Sequence, residues 1–181
     1  MRAAARSGQV RLATRDRVIV AMLLFFSLFN LTMDLYYVSH WRRLPAMVAT
    51  DWLAWLWSIY AEADRFWIVT LWSWAQEAVN VYVTTAVNLW LVWAIVKARP
   101  YRHALQLTVG AYLTYSVVLY FLAAHVSGYG GMRERRVANF ALFYGSSLPW
   151  LLGYLYMGWD SFAAIAARFA PTPSVRSKSS K

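Results

Sequence analysis

The stretch VIVAMLLFFSLFNLTMDLYYVSH, Val18–His40, sets out the fold in miniature. It is long enough and apolar enough to cross a bilayer, which takes about 20 residues as a helix. Yet its second half carries Asn30, Thr32 and Asp34. Asn30 and Asp34 are four apart, so on a helix they share one face a turn apart. A carboxylate in the hydrocarbon costs at least ~2.5–3.5 kcal/mol on insertion scales. The spacing therefore predicts a membrane helix whose polar face looks into a protein interior rather than into lipid.

The rest of the chain fits that reading. Of 181 residues, 60% are hydrophobic and 18% aromatic, with 11 Trp and 12 Tyr, while only 14% are charged. Soluble domains carry roughly 45–50% apolar residues, and Trp and Tyr gather where a membrane meets water. No Cys is present, which excludes disulfides and thiolate metal sites. The formal charge of +10 comes from Lys and Arg at the ends of apolar runs, a pattern that suits lipid headgroups and argues against nucleic acid as a partner.

Four segments are long enough to span: Val18–Ser39, Phe66–Val96, Ala104–Val126 and Val137–Trp159. The second is over-long, so it either tilts or starts as an interfacial stretch. A further segment, DWLAWLWSIYA (Asp51–Ala61), is too short to cross and is expected at the membrane surface or folded over a cavity mouth. The expected organisation is a basic tail over 1–17, a transmembrane domain over 18–160, and a polar, disordered tail over 161–181. The first apolar run is too long for a cleaved leader and no small-residue cleavage site follows it. Four spans put both termini and the 97–103 turn on one side. That side holds twelve Lys and Arg against six on the other, which predicts cytoplasmic termini.

Polar residues recur on single helix faces. Glu77, Asn80, Thr84 and Asn88 follow a 3-4-4 spacing and make one polar stripe. The third segment offers Gln106, Tyr112, Thr114, Tyr115, Ser116 and Tyr120, and the fourth offers Tyr144, Ser146, Ser147 and Trp150 beside Pro149. Stripes turned inward would enclose a cavity with Asp34 and Glu77 at its heart. Ser, Thr and Asn also serve as plain interhelical contacts, contributing about 0.6 kcal/mol each, so the two carboxyl groups carry most of the functional information. Asp64 precedes the second span and either joins them or is solvated. Two acids in such a place could pass a proton to and from an alkene, or hold a cation with help from aromatic faces.

The segment RHALQLTVGAYLTYSVVLYFLAAHVSGYGG, Arg102–Gly131, resembles the emopamil-binding protein family. It has the family's LQL at Leu105–Leu107, a tyrosine at Tyr115 ahead of LYFL at Leu119–Leu122, then His125 and Gly128. WSIYAEADRFW lands the family's upstream Trp, Tyr-Ala and acid on Trp57, Tyr60, Ala61 and Asp64, and the next helix's glutamate on Glu77. FYGSSLPWLLGYLY is similar to the last helix, with Trp150 at the tryptophan that faces a cation. The likeness covers roughly residues 20–160. It implies an all-α, EXPERA-type bundle of four or five helices in the endoplasmic reticulum, with an internal ligand cavity and no cofactor or metal.

The family's members include 3β-hydroxysteroid Δ8–Δ7 isomerases and non-catalytic sigma-2 receptor relatives. By that resemblance Asp34 and Glu77 would exchange protons with a ring alkene, and Asn30, Asp64, Asn80, Thr84, Tyr115 and Trp150 would bind a sterol or related polycyclic terpenoid. The isomerases carry a His and a Glu where Asn30 and Asp34 stand, and acids where Val117 and Ala124 stand. Asp34, Asp64, Glu77 and the Pro149–Leu152 run are closer to the sigma-2-like members. An isomerase and a non-catalytic sterol or amine binder both remain open, as does pairing with a second copy.

Overall fold

The computed structural model describes residues 12–170. Its elements, in chain order, are α1 (Thr14–Phe29), a π-helical turn (Asn30–Asp34), α2 (Leu35–His40), a 3-10 turn (Trp41–Arg43), α3 (Leu44–Met47), α4 (Trp52–Ala63), α5 (Phe66–Val69), α6 (Leu71–Val79), a second π turn (Asn80–Thr84), α7 (Thr85–Val96), α8 (Arg102–Val126) and α9 (Val137–Phe169). No strand occurs among the described residues.

These pieces join into four long rods. Three are long and apolar enough to cross a membrane: Thr14–Met47, Leu71–Val96 and Arg102–Val126. The fourth, α9, has 33 residues. At 1.5 Å per residue it is about 50 Å long, but Gly, Ser, Tyr and Trp dilute its apolar run. The chain is a multi-pass, all-helical membrane protein.

Three spans differ from the expected ones, the first because its rod runs Thr14–Met47 rather than Val18–Ser39, taking residues 14–17 out of the expected tail. The second span begins at Leu71 rather than Phe66, because Thr70 adopts extended backbone and its hydroxyl accepts from the Ser73 N–H, capping α6. The fourth helix runs ten residues past Trp159, to Phe169. Residues 161–169, expected in a polar tail, are therefore helical, and buried Met157 and Ser161 face the bundle there. The remainder of that tail, 171–181, and residues 1–11 of the N-terminal tail lie outside the described residues.

Antiparallel α8 and α9 form the most extensive helix pair, while α1 packs on α7 and α2 on α6. Gly110 of α8 lies against Gly158 of α9 so closely that a Cβ there would meet Gly158 Cα and the Tyr154 carbonyl at 2.9 Å. One apolar cluster, including Ile19, Leu23, Leu91 and Met157, fills one end of the bundle. A second, built on Tyr37, Leu44, Trp57 and Trp67, fills the other.

The short helix α4 is capped by Asp51, whose Oδ1 accepts from the N–H groups of Leu53 (2.8 Å) and Ala54 (3.2 Å). The loop after α8 turns on left-handed backbone at Gly128 and Tyr129. It then docks against the α4–α5 corner through Arg65 N–H to Gly131 O and Arg133 N–H to Glu62 O. A side chain at Gly131 would strike Asp64 and the Phe66 ring, so only glycine allows this approach.

Candidate functional site

The two π turns face each other. A π turn widens the helix by one residue and shifts the main-chain bond to the fifth residue, which exposes carbonyls to other donors. The Asn80 carbonyl accepts from the Thr85 N–H, from Thr85 Oγ1 (3.0 Å) and from Asn30 Nδ2 (3.0 Å). Asn30 Nδ2 also donates to Thr85 Oγ1 at 3.1 Å. Asn30 is thus a staple between two spanning rods at the level where each is widened.

Directly beside this staple lie the acids. Asp34 closes the first π turn, and Glu77 stands one turn before the second. They are 5% and 7% exposed and line the same cavity. Asn80 Nδ2 donates to Glu77 Oε2 at 3.0 Å, and Thr84 Oγ1 reaches Asn80 Oδ1 at 3.5 Å. Two bare carboxylates offer only acceptors, so two acids on one apolar wall are best matched with a proton between them.

The pair opens into a cavity of about 370 Å³ between the two apolar clusters. That is within the range of pockets that enclose small ligands. Of the eight residues expected at the site, Asn30, Asp34, Glu77, Asn80, Thr84 and Trp150 line it. Trp150 is wedged against Phe26 (ring centroids 4.0 Å) and edge-on to Phe29 (5.4 Å). The wall is otherwise aromatic and aliphatic, with Trp57, Tyr60 and Trp67 from the α4–α5 corner. Of the two places open to Asp51–Ala61, the structure has it folded over the cavity.

Asp64 stands just behind this wall. It is 6% exposed, and Oδ2 accepts from the Tyr120 hydroxyl at 2.7 Å while Oδ1 accepts from the Phe66 N–H at 3.0 Å. Tyr120 in turn meets Tyr60, hydroxyl to hydroxyl, at 3.0 Å, and both rings line the cavity. Burial pushes the Asp64 carboxyl above the usual carboxylate range, against the opposing pull of Tyr120 and the Phe66 and Trp67 N–H groups.

Tyr115 is the one expected residue that lies elsewhere. It is 63% exposed and does not reach the cavity. On α8 the inward residues are Leu113, Ser116, Val117 and Tyr120, spaced 3-1-3, and Tyr115 falls on the other side of that face. Asn88 also leaves the cavity, though not the interior: it is fully buried and donates to the Tyr154 hydroxyl at 3.3 Å. Tyr60, Trp67 and Gln76 are wall residues that the sequence reading did not single out as ligand contacts. The 3-4 spacing of Gln76 and Tyr60 with their neighbours was a visible signal only once the inward faces were known.

A multi-pass helical bundle closed around an aromatic-walled cavity, with two buried acids on its wall, is a membrane protein suited to a lipid-like ligand. The model of the EXPERA family (EXPanded EBP superfamily) matches residues 52–161, more than half of the chain, and the chain belongs to that family. No curated protein matches it. Family membership supports a sterol isomerase-like or sterol-binding membrane protein. The matched segment holds Asp64, Glu77, Asn80, Thr84, Tyr120 and Trp150, while Asn30 and Asp34 precede it.

Proposed function

We propose that this protein is a membrane-embedded isomerase that shifts a ring double bond in a sterol or related polycyclic terpenoid. The observation that carries the reading is the pair of buried acids, Asp34 and Glu77, on the wall of one apolar cavity. Asp34 delivers its proton to one alkene carbon (C9 in a Δ8 sterol), and the neighbouring carbon becomes a cation. Glu77 then takes the proton from C7, the C–H electrons form the new double bond, and the pair has one proton as before. No cofactor enters the balance. Trp150 faces the cation with its ring, worth about 2 kcal/mol in a desolvated site. Asn80 orients Glu77, and Asn30 fixes the distance between the two rods. Asp64 sets the Tyr60–Tyr120 wall through hydrogen bonds. The site belongs in the endoplasmic-reticulum membrane, with the termini and the 97–103 turn on the cytoplasmic side.

A second reading rests on Asn30. Its Nδ2 is held in structural bonds, and the amide cannot titrate near neutrality as the isomerases' histidine can. Val117, at the place of an isomerase acid, presents only an apolar surface to the cavity. Both features suit a protein that holds a sterol or cationic amine without converting it.

Expression in yeast lacking its own Δ8–Δ7 isomerase separates the two. Δ7 sterols detected by mass spectrometry support the isomerase. Abundant, folded protein with no Δ7 product, but with tritiated sterol binding that Glu77→Gln abolishes, supports the binder.

A further inference from the structure

A second pocket, of about 270 Å³, opens where the start of α1, the α7–α8 turn and the end of α9 meet. Its wall carries Arg99, Arg102, His103 and Arg168 against a single acid, Asp16. Arg102 Nη1 pairs with Asp16 Oδ2 at 3.2 Å. Arg99 and Arg168 form no ion pair among the described residues. The Arg99 guanidinium instead lies 4.5 Å from the Trp93 ring centroid, a contact that holds the group without neutralising it. Three guanidinium charges less one carboxylate leave two positive charges on the wall.

Two further features point the same way. Helix α8 begins here, its N-terminus carries no side-chain cap, and the helix dipole adds positive potential. His103 is only 8% exposed. Its Nε2 accepts from Arg102 Nε at 3.3 Å, which puts the ring proton on Nδ1, and Nδ1 has no partner among the described residues. Leaving such a donor unmatched costs about 1–3 kcal/mol. An oxyanion answers the arginines and the His103 N–H, since its oxygens accept from arginine forks and from a buried N–H alike, while the unpartnered Asp16 Oδ1 on the same wall works against it.

We infer that this pocket binds a phosphate-class dianion, with Arg99, Arg102, Arg168 and the His103 ring N–H as its donors. The pocket sits at the ends of spanning helices, where phospholipid headgroups lie, so a phosphomonoester headgroup is the source its position favours. Free phosphate shares the chemistry.

The test uses the full chain purified in detergent and titrated with dihexanoyl phosphatidic acid, dihexanoyl phosphatidylcholine and inorganic phosphate, with binding read by native mass spectrometry. Phosphatidic acid should bind one to one and roughly tenfold tighter than phosphatidylcholine, the ratio expected from one or two charged hydrogen bonds. Arg99→Gln and Arg168→Gln, both at exposed positions, should each remove most of that preference while leaving the anion-free melting temperature unchanged. Inorganic phosphate binding as tightly as phosphatidic acid would uphold the anion site and reject the headgroup as its source. Equal binding of the two lipids, or variants that keep the preference, would overturn the inference.

Discussion

Asn30 donates its side-chain amide to the main-chain carbonyl of Asn80 at 3.0 Å, and each residue opens a π turn of its own rod. The bond joins the two places where the helices are widened, and the acids hang from either side of it. The register of Asp34 against Glu77 therefore depends on Asn30.

Asn30→Leu should leave the Asn80 carbonyl and Thr85 hydroxyl short of a buried donor and lower stability by about 1–3 kcal/mol. Thr32→Val, in the same π turn but exposed to the outside, should change little. Thermal unfolding of both variants in one detergent checks the contrast. Equal melting temperatures would mean that the two rods hold their register without the staple.

Tyr120→Phe removes the hydroxyl that donates to Asp64 Oδ2. Because burial raises the folded-state pKa of Asp64 above its unfolded value, the folded state holds the proton more tightly. Its contribution is full at pH below the unfolded value and is lost as pH rises through the folded one. Without the Tyr120 bond the folded value climbs further, so the variant should lose more stability at pH 7 than at pH 4. Melting temperatures across that range provide the check, and an equal loss at both pH values would contradict it.

Gly110→Ala places a methyl group 2.9 Å from Gly158 Cα and the Tyr154 carbonyl. The helices must part, at a cost of about 1–3 kcal/mol, and Tyr154 and Trp150 move with α9. Gly145→Ala meets nothing within 4 Å and should be neutral or slightly stabilising. A stable Gly110→Ala protein with unaltered ligand binding would show that the α8–α9 contact does not shape the cavity.

Tyr115→Phe should leave ligand binding and turnover unchanged and shift stability by no more than about 0.5 kcal/mol, as exposed substitutions do. Binding measurements with the same sterol on both proteins decide it.

The contrast between Tyr115 and Tyr120 marks what the sequence made legible. Charges in an apolar run announce an interior face, so Asp34, Glu77, Asn30, Asn80 and Thr84 could be turned inward from spacing, while Asn88 of the same stripe packs beyond the cavity and Thr32 faces outward. Tyrosine is at home on either the lipid side or the inner side, so α8 gave no such sign, and family likeness drew attention to the outward ring. The π turns were hidden as well. No residue type encodes them, and they are held by tertiary bonds from Asn30 and Thr85 that exist only once both rods are packed. The break at Thr70 and the run of α9 to Phe169 depend on capping and on packing of Met157 and Ser161, which hydropathy does not register.

The central claim is that the Asp34–Glu77 pair exchanges a proton with a ring alkene. Incubating the purified protein with a Δ8 sterol in D2O and reading the product by mass spectrometry and NMR tests it most directly. The account predicts a Δ7 product carrying one deuterium at C9 from the native chain, and a rate lower by about 10²–10⁴-fold from Glu77→Gln, the usual share of a general acid–base group. Folded, sterol-binding protein that yields no deuterated product, or a Glu77→Gln variant as fast as the native chain, would contradict it.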